Sequence, residues 1–103
     1  GLSPSEAVQL INREKAVLID VSEPAEFAAE HANSAKNIPF GQIGSSNALP
    51  KNKALPLVVL CPTGARAGRA AAELRKLGFE SVHVLAGGLT AWREANLPVE
   101  KSA

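Results

Sequence analysis

Sulfur and imidazole are scarce in this chain. Its 103 residues contain one cysteine, Cys61, and two histidines, His31 and His83. A lone thiol cannot close an internal disulfide, and one Cys with two His cannot supply the ligand set of a structural zinc site. No run approaches the roughly 18 apolar residues of a membrane span, and residues 1–10 do not read as a secretory leader. The chain begins at Gly1 rather than Met, so removal of a leader is compatible with that start. An excess of either charge is missing too: 11 Lys and Arg stand against 10 Asp and Glu, a net charge of +1. Such a balance creates no field that would gather nucleic acid or an anionic membrane. Internal repeats and low-complexity tracts are also absent.

The composition, 46% hydrophobic and 20% charged, is that of a soluble globular protein. Its length suits one domain with a small core that buries about two thirds of the unfolded surface. Ser3-Pro4-Ser5-Glu6 has the form of a capping box with proline at the first helical position, and predicts an amphipathic helix to about Asn12. Ala16–Val21 is a continuous apolar run of strand length, as expected of a strand covered on both faces. Ser22-Glu23-Pro24-Ala25-Glu26 reads as the cap and first turn of a second helix, which turns Phe27 and Ala28 inward. Lys36–Phe40, interrupted by Pro39, suits a brief strand. Gly41 to Lys53 reads as a mobile connection with at most one helical turn near Gln42-Ile43. Leu57–Leu60 is a strand, and Ala67, Ala70, Ala71, Leu74 and Leu77 recur at helical spacing before Gly78. Ser81–Leu85 makes a further strand, and Leu89–Ala95 a closing helix with Trp92 on its inner side. Strands alternating with helices predict a mostly parallel sheet covered on both faces.

Cys61 sits where the Leu57–Leu60 strand meets the loop Pro62-Thr63-Gly64-Ala65, which ends in Arg66 and a helical pattern. Parallel sheets place their ligand sites outside the carboxyl ends of the strands, where Asp20 also falls. A helix N-terminus and an adjacent Arg can draw a cysteine pKa from about 8.5 to between about 3.5 and 7.5. The thiolate so formed is a strong nucleophile at neutral pH. A tight loop here would aim successive amides inward as an anion nest, with Gly64 supplying any positive φ the curl needs.

These segments, taken in order, resemble the single-domain rhodaneses, a sulfurtransferase family, from Ser3 to Pro98. The matching stretches are Leu18-Ile19-Asp20-Val21 with Glu23-Pro24-Ala25-Glu26-Phe27, His31, Asn37-Ile38-Pro39, Cys61-Pro62-Thr63-Gly64-Ala65-Arg66, Gly78-Phe79, and Leu85-Ala86-Gly87-Gly88 with Trp92. The resemblance implies one rhodanese-like α/β domain over residues 1–103, with a mostly parallel central sheet of about five strands and helices on both faces. It also implies that Cys61 accepts a sulfane sulfur from a donor such as thiosulfate, becomes a persulfide, and passes the sulfur to cyanide or a cellular thiol. Pro62, Thr63, Gly64, Ala65 and Arg66 would hold the anionic donor, and Asp20, Ala67, Gly87 and Gly88 would support the loop. No metal or cofactor is implied. The partners are a small sulfur donor and acceptor, with a protein acceptor as the alternative in which the domain acts as a persulfide carrier or regulatory binding module. A third reading, a redox-sensing thiol, lacks the resolving cysteine such sensors use. A cytoplasmic location is expected, or a periplasmic one if a leader has been removed.

Two positions depart from the family pattern: Ser22 stands where Arg is common, and Ala67 where Ser often follows the loop Arg. Loop length separates the chain from cysteine phosphatases, which place five residues between Cys and Arg; here four intervene. Elsewhere, Asp20 reads as a cap for loop amides rather than a general base, and Glu23 and Glu26 as complements to a helix N-terminus. His31 reads as a loop-orienting residue and His83 as a structural one. Gly87-Gly88 either lets backbone approach the Cys61 loop or breaks the strand before the last helix. Arg69 is either a solvated charge or a second anion contact.

Overall fold

The structure is a computed structural model that describes residues 1–62 and 65–102. Helix α1 spans Pro4–Glu14. Its capping box is complete: the Ser3 hydroxyl accepts the Glu6 N–H at 3.1 Å, and the Glu6 carboxylate accepts the Ser3 N–H at 2.9 Å. Lys15, at φ 61°, turns the chain out of the helix. Strand β1, Val17–Asp20, follows, then α2, Pro24–Ala29, and the short strands β2, His31–Ala32, and β3, Lys36–Asn37. A 3₁₀ segment occupies Phe40–Ser45. Strand β4, Leu57–Leu60, leads toward α3, Ala65–Lys76, and then β5, Val82–Val84, α4, Gly88–Glu94, and β6, Val99–Glu100.

Among the described residues, four strands form the central sheet in the order β3-β1-β4-β5, every pair parallel. The expectation of about five strands is thus corrected to four. The remaining two, β2 and β6, make a separate antiparallel ribbon in which His31 lies opposite Glu100 and Ala32 opposite Val99. Val99-Glu100 is too short and too exposed to carry a hydrophobic period, so the sequence offered no signal for it.

Pleating divides the core into two layers. On one face, Leu57, Val59 and Cys61 pack with Ala67, Ala70, Ala71 and Leu74 of α3. On the other, Val58 and Leu60 pack with Ala7 of α1 and Leu89 and Trp92 of α4. Helices therefore cover both faces, and β4, buried at every position, accounts for the unbroken apolar run. Gly41–Ser45, expected to be part of a mobile connection, is held by Ile43, which is buried in the same layer as Cys61. Helix α3 ends in a Schellman motif: the Phe79 N–H reaches the Leu74 carbonyl, the Gly78 N–H reaches that of Arg75, and Gly78 takes φ 99°. Among the described residues, no helix is long and apolar enough to cross a membrane.

Candidate functional site at the end of strand β4

The parallel register sets Asp20, Leu60 and Asn37 side by side at the carboxyl end of the sheet: Asp20 lies opposite Leu60 in β4 and opposite Asn37 in β3. Cys61 is the next residue after Leu60 and is fully buried. Its carbonyl accepts the Leu89 N–H at 3.2 Å, which joins the end of β4 to the first turn of α4.

Gly88 makes this junction possible. A Cβ built on it would lie 2.1 Å from the Cys61 carbonyl oxygen and 3.0 Å from that of Pro62, and its φ is +58°. Only a residue without a Cβ fits there. Gly87, at φ +74°, has a different neighbour: its Cβ would strike the Ala91 side chain at 2.7 Å, so it shapes the turn into α4. Of the two readings of this pair, close backbone approach describes Gly88; β5 has already ended at Val84, so Gly87 serves as the N-cap residue of α4.

Asp20 is buried, and its Oδ1 accepts the Ser22 N–H at 2.9 Å. Asn37 Nδ2 donates to the carbonyls of Asp20, at 3.1 Å, and Ser22, at 2.9 Å. The carboxylate thus fixes the turn leading from β1 toward α2, as a capping role requires.

Ala65 and Arg66, expected to close the loop, are instead the first two residues of α3. Ala65 is exposed, whereas Ala67 is buried in the layer that holds Cys61. Thr63 and Gly64 lie outside the described residues. Arg66 makes a two-point ion pair with Glu26 of α2, Nη1 to Oε1 at 2.8 Å and Nη2 to Oε2 at 3.0 Å. Oε1 of Glu26 also accepts the Glu23 N–H at 2.9 Å, so one carboxylate both caps α2 and grips the guanidinium. The Arg66 hydrogen bonds, followed by that backbone N–H, pull the Glu26 pKa down to about 2. Arg66 is raised above the usual guanidinium value, foremost by its hydrogen bond to Glu26; burial works against this, and the charges of Glu26, Cys61 and Glu23 add to it.

Glu26 is the residue that sequence reasoning missed. Its spacing from Glu23 signals a helix start, and nothing in the local pattern points to a partner 40 positions away.

The other candidates have contacts of their own. The Arg69 guanidinium lies 5.4 Å from the centre of the Phe40 ring. His31 bonds through Nδ1 to the Phe27 carbonyl at 2.7 Å and stacks on the Phe27 ring at 3.8 Å. His83 Nε2 lies 2.9 Å from the Ser81 hydroxyl. Among the described residues, no group of three His, Cys, Asp or Glu side chains gathers to hold a metal ion.

Comparison with known proteins agrees with this architecture. A family model for the Rhodanese-like domain matches residues 3–95. The uncharacterized protein slr1261 of Synechocystis is 36% identical over 101 residues, covering 98% of this chain, and this chain spans 56% of that protein's length. The thiosulfate sulfurtransferase GlpE of Vibrio cholerae is 32% identical over 96 residues, or 93% of this chain and 90% of that protein. The crystal structure of a thiosulfate sulfurtransferase from Pseudomonas aeruginosa superposes with a TM-score of 0.88 at 28% identity, over 99% of this chain and 20% of the longer one.

Proposed function

The chain belongs to the rhodanese-like family, and from that premise we propose that it is a sulfurtransferase working through a persulfide on Cys61. The observation that carries this reading is the position of the thiol: it directly follows a fully buried parallel strand, and Arg66 stands in the first turn of the helix that comes next. In the first half-reaction the Cys61 thiolate attacks the outer sulfur of thiosulfate. The S–S bond of the donor breaks, sulfite departs with the bonding pair, and Cys61 is left as a persulfide anion. In the second, cyanide or a thiolate attacks the outer sulfur of that persulfide, taking it as thiocyanate or as a new persulfide and restoring the Cys61 thiolate. Each step is a displacement at sulfur and needs no metal or external oxidant.

On this reading Arg66 stabilises the negative charge that develops on the departing sulfite. Pro62, Thr63, Gly64 and Ala65 are assigned to donor binding, with Ala65 at the start of α3. Supporting roles fall to Ala67, buried in the same layer as Cys61, to Gly88 through its approach to the Cys61 carbonyl, to Gly87 at the turn into α4, and to Asp20 through the turn after β1.

The test is incubation with thiosulfate, followed by intact-mass measurement and by thiocyanate release on adding cyanide. Gain of one sulfur atom by the native protein, and none by Cys61→Ser, is the expected result. A native protein that gains no sulfur and releases no thiocyanate refutes the assignment.

A further inference from the structure

Arg66, in the first turn of the helix that follows Cys61, is the cation assigned to the anionic donor, yet it is already engaged. Glu26 spans both of its terminal nitrogens, at 2.8 and 3.0 Å. The pair is not a chance meeting of two long side chains, because Oε1 of Glu26 is also fixed by the Glu23 N–H. A carboxylate pinned in this way loses little further freedom on binding Arg66, which offsets the usual entropic weakness of exposed pairs. The guanidinium keeps its remaining N–H groups for a ligand, but its charge is balanced.

Of the further arginines, Arg69 keeps its charge and Arg93 is paired. Ser22, uncharged and buried, occupies the position after Val21. Arg69 is turned onto the Phe40 ring. Arg93 of α4 is paired with Glu30 at the end of α2. A donor carrying two negative charges therefore meets a guanidinium whose charge is already matched by the Glu26 carboxylate.

We propose, on the basis of the sulfurtransferase reading above, that Glu26 sets donor selectivity: its two-point grip on Arg66 penalises dianionic donors such as thiosulfate and favours hydropersulfides, R–S–SH, of lower charge. With such a donor the Cys61 thiolate attacks the outer sulfur, the R–S bond to that sulfur breaks, and R–S⁻ leaves with the bonding pair. The proton stays on the transferred sulfur, giving Cys61–S–SH. The departing thiolate carries one negative charge where sulfite carries two, so it needs less from Arg66.

The experiment compares kcat/KM for two donors, thiosulfate and the hydropersulfide of an uncharged N-acetylated cysteine ester, at low ionic strength in native protein, Glu26→Gln and Glu26→Ala. The readout is the ratio of the two values within one preparation, which does not depend on the folded fraction. Glu26→Gln keeps an oxygen acceptor for the Glu23 N–H and removes only the charge. The thiosulfate-to-hydropersulfide ratio should rise about fivefold in Glu26→Gln, rise in the same direction in Glu26→Ala, and lose much of this increase in high salt. A ratio that stays level or falls in both variants, while native protein still loads Cys61, overturns the selectivity role alone. Native protein that loads sulfur from neither donor overturns the sulfurtransferase reading and this proposal with it.

Discussion

Gly88 lies so close to the Cys61 carbonyl that a single added carbon would sit 2.1 Å from its oxygen. The neighbour is main chain at the end of a buried strand and cannot swing aside as a flexible side chain could. Gly88→Ala therefore carries two penalties, a left-handed backbone with a Cβ and a collision with Cys61. It should lower the stability of the fold by about 2–4 kcal/mol in equilibrium denaturation. The surviving folded protein should take up sulfur more slowly than the native chain. A loss under about 1 kcal/mol would show that the two segments separate easily.

The Glu26–Arg66 pair makes a prediction about pH. Glu26 has a native pKa of about 2 against an ordinary value of 4.5. A carboxylate depressed in the folded state contributes stability above its unfolded pKa and loses that contribution as the pH falls through the folded one. The window for this group therefore runs from about 4.5 down to about 2, and the pair is intact at neutral pH. Carboxyl-carbon NMR should place the Glu26 midpoint near the lower limit. In Arg66→Ala the midpoint should move up toward the ordinary carboxylate range and remain somewhat below it, since the Glu23 N–H still donates. An unmoved midpoint would mean that Arg66 is not the main cause.

Asp20 can be assigned by two substitutions that differ in what they remove. Asp20→Ala leaves the buried Ser22 N–H without its acceptor and should cost about 1–3 kcal/mol. Asp20→Asn retains an oxygen at that position and should cost under about 1 kcal/mol, with sulfur transfer within a few-fold of native. A rate loss of several orders of magnitude in a stable Asp20→Asn protein would instead identify a general base.

Ile43 tests whether Phe40–Ser45 belongs to the core. The side chain is buried in the layer shared by β4 and α3, so Ile43→Ala should destabilise the protein by about 2–4 kcal/mol in denaturant unfolding. A surface loop would tolerate the change within about 0.5 kcal/mol.

What could be read from the sequence was what chemistry writes locally. Ser3-Pro4-Ser5-Glu6 announces α1 because both hydrogen bonds of its cap lie within four residues. Val58 and Leu60 announce a doubly covered strand because no polar residue interrupts the run. Cys61 stood out because it ends that strand and precedes a helical pattern with Arg66 near its start. The misses share a different cause. The 3₁₀ segment was legible only as one helical turn near Gln42-Ile43, inside a stretch read as mobile, because one residue, Ile43, anchors it, and a single apolar residue sets no period. Strand β6 depends on pairing with His31 and Ala32, which lie more than 60 positions earlier. Glu26 was recognised as a helix-start residue, and its grip on Arg66 comes only from the way the fold brings α2 against the start of α3. Ala65 and Arg66 were assigned to the loop because helix boundaries are soft by one or two residues in any reading of local pattern.

The hydrogen bond from Leu89 to the Cys61 carbonyl extends the reach of the site. Leu89 opens α4, and one turn further along that helix lies Trp92, the only indole in the chain, buried with its Nε1 donating to the Pro98 carbonyl at 2.8 Å. One backbone hydrogen bond and one helical turn thus separate the cysteine from a single fluorophore. Its emission offers a label-free optical signal for following chemistry at the sulfur in real time.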